Sequence, residues 1–190
     1  MTAFRSRVIG HGMFVPSKKY SNNDISERMN TSDEWIQQRT GIKSRYWGDE
    51  NTTSSGLGLE AAKIALEVAG LSASELDMII LATLSPDHEF PGTACFLQEK
   101  LGVSGIPALD VRQQCTGFIY ALSTANQFIR TGTYSRVLVV GAEVHSKGLD
   151  HSPRGRDVSV LFGDGAGAFV LDGVEVEDTK KARHIWSTHL

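Results

Sequence analysis

The chain has 190 residues, of which 41% are apolar, 8% aromatic and 22% charged, and its formal net charge is −3. These values exclude a disordered or collagen-like chain, and the slight acidity argues against a general affinity for nucleic acid or an anionic membrane. No run of about 18 apolar residues exists to span a bilayer. The opening residues, MTAFRSRVIGHG, lack an apolar signal core followed by a small-residue cleavage site, so the expected location is the cytoplasm. The length suits one domain, or half of a larger one, and a domain of this size folds without disulfides or metal.

In chain order, Arg7–Val15 reads as a first strand ended by Pro16, and Asn22–Met29 as a short helix. A second helix is expected from Thr31, with Thr31 and Glu34 as a capping box, to about Thr40, where Gly41 can supply a left-handed stop. After a polar loop (Gly48–Gly56), a helix is predicted over Leu57–Ala69. Leu59, Ala62, Ile64, Leu66 and Val68 form its apolar side, and Gly70 ends it. Met78–Thr83 is a short, nearly continuous apolar run, which suits a strand buried on both faces. Thr93–Leu101 reads as a helix ended by Gly102, Ala108–Val111 as a short strand, Thr116–Thr131 as a helix ended by Gly132, and Val137–Val140 as another buried strand. Val158–Phe162 and Ala168–Leu171 are predicted as two strands joined by a glycine turn.

Strands and helices therefore alternate, which implies right-handed βαβ units and an α/β fold with a mixed, mostly parallel sheet flanked by helices. Val174–Lys181 reads as a charged surface connection, and His184–Leu190 as the start of a new strand.

The two cysteines, Cys95 and Cys115, have no metal-ligand spacing, and the expectation is one reactive thiol plus one buried bystander. Cys115 lies between a strand ending near Val111 and a helix beginning at Thr116. That places it at the carboxyl edge of the sheet, where open α/β folds hold ligands. Free amides and the helix dipole at such a position favour a thiolate, and Gly117 permits close approach of a substrate arm. The competing reading is a buried cysteine that packs as a small hydrophobe. For Cys95, inside a helix beside Ala94, Phe96 and Leu97, that inert reading is preferred. Trp35 and Arg39 lie four apart on one helix and share a face, where a Trp ring can stack on adenine and an Arg can pair with phosphate. Core packing for Trp35 and a surface charge for Arg39 are the alternatives.

Four segments together carry a resemblance. Asp110-Val-Arg-Gln-Gln-Cys115-Thr-Gly-Phe-Ile-Tyr-Ala-Leu is similar to the nucleophile segment of the ketoacyl-acyl-carrier-protein synthase III family. Thr31-Ser-Asp-Glu-Trp-Ile-Gln-Gln-Arg39-Thr-Gly-Ile resembles its N-terminal signature, and His88-Glu-Phe-Pro-Gly-Thr-Ala-Cys95 its pocket segment. Arg154-Gly, then Phe162-Gly-Asp-Gly-Ala-Gly-Ala168, resembles its central loop. The match covers nearly the whole chain, in order.

The resemblance implies a thiolase-like fold of two similar α/β halves, usually in a homodimer. Residues 1–173 would then be the N-terminal half that carries the nucleophile. Residues 174–190 would be a connection and the first strand of a second half that is largely absent. It further implies a two-stage decarboxylative Claisen condensation. The Cys115 thiolate takes the acyl group of a short acyl-coenzyme A, acetyl-coenzyme A being the one expected, and the carbanion from malonyl-acyl-carrier protein then attacks the acyl-enzyme. The Cys115 amide would donate to the oxyanion. The family places Thr31, Trp35 and Arg154 around the adenine end of coenzyme A, Arg39 nearby, and Phe90 at the acyl pocket across the dimer interface. No metal and no cofactor beyond the acyl-coenzyme A substrate is implied, nor any nucleic acid or membrane partner.

A His and an Asn that stabilise the enolate come from the family's second half. The six histidines of this chain match neither, and each reads as a surface or loop histidine. Gly163–Gly167 superficially resembles a dinucleotide loop but lies between strand-like runs. Gln113 and Gln114 stand where many members have small residues, which bears on the primer. Alternatives are a non-catalytic, half-length binding or dimerising subunit, a thioesterase-like hydrolase, and a family member making a quinolone, a long-chain ketone or a polyketide starter.

Overall fold

A computed structural model describes residues 3–190. In chain order the elements are β1 (Ala3–Phe14), β2 (Lys19–Ser21), α1 (Asn22–Met29), α2 (Asp33–Thr40), β3 (Ser44–Tyr46), α3 (Ser54–Ala69), β4 (Met78–Ala82), α4 (Thr93–Lys100), β5 (Ala108–Val111), α5 (Gly117–Arg130), β6 (Arg136–Val144), α6 (Arg156–Ser159) and β7 (Asp164–Val176). Five strands make one sheet in the order β1-β7-β6-β4-β5, and β2 pairs with β3 in a separate ribbon.

The mixed sheet is as expected, with its parallel part confined to three strands. β4 runs parallel to both β5 and β6, whereas β7 is antiparallel to β6 and to β1. All of β4 is buried, and its alternate residues serve two cores. Ile79 and Leu81 pack with Ala61, Ala62 and Ala65 of α3 and Leu97 of α4. Met78, Ile80 and Ala82 pack with Ala121, Ala125 and Ile129 of α5. Each buried Ile or Leu contributes about 1.5–3 kcal/mol relative to exposure. A third, smaller core of Ile25, Met29, Ile36, Trp47 and Val160 lies under α1 and α2.

Several expectations need correction. Helix α2 is capped by Ser32, whose hydroxyl accepts from the Trp35 amide at 3.1 Å, and not by Thr31. A reciprocal box forms one helix earlier, between Ser21 and Asp24. The face that α3 buries is its row of small residues, and Ile64 and Val68 are exposed at 40% and 53%. The reason is proximity to β1. A Cβ on Gly10 or Gly12 would sit 2.0 Å from the Ala65 carbonyl oxygen or 2.3 Å from that of Ala61, so the two backbones nearly touch.

Residues 158–162 form no strand, because Arg156–Ser159 is a short helix that buries Val160 and leaves Val158 and Leu161 exposed. Tertiary packing here overrides the β-propensity of Val-Ser-Val. The glycine run is no turn, since Gly165 and Gly167 lie inside the continuous strand β7 and Gly167 pairs with Gly141. β6 extends four residues beyond the expected Val140, to Val144.

The boundary drawn at residue 173 falls inside β7. Residues 184–190 form no strand here; the Ile185 amide donates to the Ser6 carbonyl at 2.7 Å and the Ile185 side chain packs on the α5 core. Among the described residues, no helix is long and apolar enough to cross a membrane.

Candidate active site

Because β4, β5 and β6 are parallel, their carboxyl ends share one edge of the sheet, and Cys115 stands over that edge. The chain leaves β5 at Val111 and makes a single short turn, Gln114–Thr116, before α5. Gln114 has a φ of 20°, uncommon for a residue with a Cβ, and this sharp bend directs the chain from strand to helix. Gly117 then lets α5 meet the end of β4, where an added Cβ would lie 3.2 Å from the Ala82 Cβ.

The thiol is exposed, so the inert packing reading does not hold for it. Cys95 is exposed as well, which corrects the expectation that it is buried, although it does lie within helix α4. Its side chain falls on the outer face of α4, while Ala94 and Leu97 fill the inner one.

Cys115 lines a cavity of about 270 Å³ with Ala82, Gly141, Glu143, His145 and Phe162, among others. The rim is held by carboxylates that accept amide hydrogens. Glu143 accepts from the Leu84 amide at 2.9 Å and the Ser85 hydroxyl at 2.6 Å, which fixes the loop after β4. Asp110 accepts from the Thr93 and Ala94 amides, both at 2.7 Å, and so caps α4 from the end of β5. Asp164 accepts from the Gly48 amide at 2.7 Å and the Ser146 amide at 2.9 Å. Gly141 makes room for Phe118, because a Cβ there would be 3.1 Å from its ring. Gln114, next to the thiol in sequence, also lines the cavity.

A second cavity, of about 440 Å³, is lined by Trp35, Arg39, Thr40, Arg156, Asp157, Val160 and Leu161. The Arg39 and Arg156 guanidinium carbons lie 4.2 and 4.5 Å from the centroid of the Trp35 ring, within cation–π range. Trp35 and Arg39 are thus brought together as their spacing suggests. The second arginine is Arg156. Arg154 does not line this cavity; it is 91% exposed and its Nε donates to Asp150 at 3.0 Å. Hydrogen bonds from Ser152, and then from Arg154, lower the Asp150 carboxyl from its usual 3.8 to about 2. The signal for Arg156 was present in Arg154-Gly-Arg156, but sequence alone does not say which arginine turns inward.

Thr31 does not line the cavity either, and its hydroxyl is enclosed without a hydrogen-bond partner. Phe90 is 86% exposed on the loop before α4 and lies outside the lining of the thiol cavity within this chain. His145, read from the sequence as a surface or loop histidine, lines the thiol cavity. The strand prediction stopped at Val140, and only its continuation to Val144 puts Glu143 and His145 at a strand's carboxyl end.

The family profile of 3-Oxoacyl-[acyl-carrier-protein (ACP)] synthase III matches residues 109–190, a span that contains Cys115. Beta-ketoacyl-[acyl-carrier-protein] synthase III of Allorhizobium ampelinum is 48% identical over 186 residues, 98% of this chain and 57% of that protein.

Over residues 109–190 the chain resembles the 3-oxoacyl-[acyl-carrier-protein] synthase III family, and two relatives of that name are 48% and 47% identical to it.

It spans about half the length of the curated relatives it matches; for the synthase III of a Neisseria meningitidis serogroup C strain, 47% identity extends over 90% of this chain and 53% of the relative. The crystal structure of the synthase III from Aquifex aeolicus superposes with a TM-score of 0.85 at 46% identity, covering 91% of this chain and 55% of that one. The priming beta-ketosynthase of the R1128 polyketide pathway gives a TM-score of 0.87 at 33% identity, over 92% and 52%. The fold of this synthase III relative is thiolase-like, with a mixed sheet flanked by helices.

Proposed function

We propose that this chain carries the nucleophile of a condensing acyltransferase, which joins the acyl group of an acyl-coenzyme A, acetyl above all, to malonyl-acyl-carrier protein and yields 3-oxoacyl-acyl-carrier protein. One observation carries the reading. An exposed cysteine stands over the carboxyl ends of three parallel strands and lines a cavity, in a segment matched by the synthase family.

The Cys115 thiolate attacks the thioester carbonyl. A new carbon–sulfur bond forms, the bond to coenzyme A sulfur breaks, and coenzyme A leaves as a thiolate that takes up a proton. Sulfur serves as both nucleophile and leaving group, so the acyl group passes on readily to the malonyl-derived carbanion. The amide of Cys115 is the donor this chain offers to the tetrahedral oxyanion. The cavity at Trp35 suits the nucleotide end of coenzyme A, with the indole for adenine and the guanidinium groups of Arg39 and Arg156 for phosphate. In a homodimer, Phe90, too exposed to serve its own thiol cavity, is available to the acyl pocket of the second copy.

Enolate stabilisation belongs to a His and an Asn of the family's second half, so acyl transfer to Cys115 is the step to test. The natural-length protein is incubated with acetyl-coenzyme A, and the peptide holding Cys115 is weighed. The expected result is an added acetyl group, absent in Cys115→Ala. A folded protein that takes no acyl group from any acyl-coenzyme A would overturn the reading.

A further inference from the structure

Arg45 is a cation that the fold encloses and that acyl transfer to sulfur does not use. It is 5% exposed, and its Nε and Nη1 are buried without a hydrogen-bond partner among the described residues. Burial alone lowers its guanidinium from the ordinary value. A desolvated charge of this kind costs stability, and an apolar side chain would suit the place better if stability were its only task. Only Nη2 is satisfied. It donates to Asn22 Oδ1 at 2.8 Å and to the Val160 carbonyl at 3.1 Å. Asn22 Nδ2 in turn donates to Asp33 Oδ1 at 2.8 Å and to the Ile42 carbonyl at 2.7 Å, and so grips both ends of α2, the helix that carries Trp35 and Arg39. Val160 ends α6 one turn after Arg156, to whose carbonyl its amide donates at 3.3 Å. The chain beyond α6 lies against β3, because a Cβ on Gly163 would come 3.3 Å from the Arg45 Cβ.

We infer that Arg45 is a positioning residue for the cavity at Trp35: by holding Asn22 and the Val160 carbonyl at one nitrogen, it sets the spacing between Trp35 on α2 and Arg156 on α6. This rests on the reading of that cavity as the seat of the nucleotide end of coenzyme A. A base and its phosphates are gripped well only when indole and guanidinium stand at a fixed separation. The thiol cavity is held differently. Its Phe162 is fixed by Trp47, whose Nε1 donates to the Phe162 carbonyl at 3.1 Å. Loss of Arg45 therefore loosens the nucleotide cavity and spares the thiol.

The experiment loads the natural-length protein from acetyl-coenzyme A and from acetyl-pantetheine, which lacks the nucleotide, and reads the half-saturating concentration of each by mass at the Cys115 peptide. Arg45→Met keeps the length of the side chain and removes its donors. It should raise half-saturation for acetyl-coenzyme A roughly tenfold or more and leave that for acetyl-pantetheine unchanged. Arg45→Lys keeps a charge and a donor, and should recover part of the loss. Added to Arg156→Ala, Arg45→Met should cost little more, because the spacing it sets has lost one wall. If Arg45→Met does not fold, Asn22→Ala, which cuts the link to α2, carries the same comparison. Equal losses with both thioesters overturn the inference, since general damage to the scaffold would then be the cause. Unchanged half-saturation with both, or additive losses in the double variant, overturn it as well. If Arg156→Ala alone leaves acetyl-coenzyme A use unaltered, the nucleotide reading of the cavity fails and the inference falls with it. Failure of the unmodified protein to accept acetyl from either thioester is a different result, and it removes the acyl-transfer reading itself.

Discussion

The thiol region and the Trp35 region are built in different ways. Cys115 is positioned by a fully buried strand on one side and a long helix on the other, with β4 and α5 sharing the core of Met78, Ile80, Ala121 and Ile129. Trp35 stands on an eight-residue helix over the smallest core, and its partner Arg156 comes from a four-residue helix far along the chain. The first arrangement is rigid because many apolar contacts over-determine it. The second depends on exposed, long side chains whose placement costs conformational entropy. Under the proposed function, chemistry that needs fixed geometry would fall in the first region, and grip on a nucleotide in the second.

The sharpest way to break this comparison is at the two centres. Cys115→Ala should abolish acyl loading entirely while coenzyme A binding, measured by calorimetry, stays unchanged. Trp35→Ala and Arg156→Ala should each weaken coenzyme A binding roughly tenfold, the order expected for losing one stacking or charge contact. Arg154→Ala should leave binding unaltered. If Arg154→Ala weakens binding as much as Arg156→Ala, the assignment of the inward arginine is wrong.

Asp164 joins the two regions, since it accepts from Gly48 just after β3 and from Ser146 just after β6. Asp164→Ala leaves those donors without an acceptor in a buried place. It should lower stability by about 1.5–3 kcal/mol, seen as a shifted urea midpoint with an unchanged slope. A neutral effect would mean that the regions are anchored independently. Asp110→Ala removes the cap of α4 alone and should cost about 1 kcal/mol.

The smallest effect lies at the surface. The Asp150 carboxyl is held at about 2, below its usual 3.8, chiefly by Ser152 and then by Arg154. Its contribution to stability is therefore complete above 3.8 and is lost as pH falls through about 2. Carbon NMR titration should show that midpoint, and acyl loading should not follow it. A midpoint near the ordinary value would mean that Ser152 and Arg154 do not hold the Asp150 carboxylate as described.

Much of the scaffold was legible in the sequence. The continuous run Met78–Ala82, the glycine stops at Gly41 and Gly70 and the helix over residues 117–130 follow from local rules, and each stop shows the positive φ expected. What was not legible depended on neighbours distant in sequence. Cys95 sits between apolar residues in the chain but on the outer face of α4. Ile64 and Val68 look like a core face, yet the backbone of β1 comes so near α3 that only alanine and glycine fit between them. The glycines of β7 look like a turn because a strand's partners, here Gly141 and Met13, are invisible to a local pattern.

By itself, then, the sequence determined the order of the main elements from the first strand to β6, the mixed α/β class, the place of Cys115 after a strand and before a helix, and the resemblance its motifs carry. These depend on periodicity, capping and short motifs, which are properties of neighbouring residues. Only the tertiary structure decided that Arg156 and not Arg154 faces Trp35, that Glu143 and His145 share the cavity of the thiol, and which faces of α3 and α4 are buried. Those outcomes depend on how closely segments far apart in the chain can pack, and local pattern carries no record of that distance.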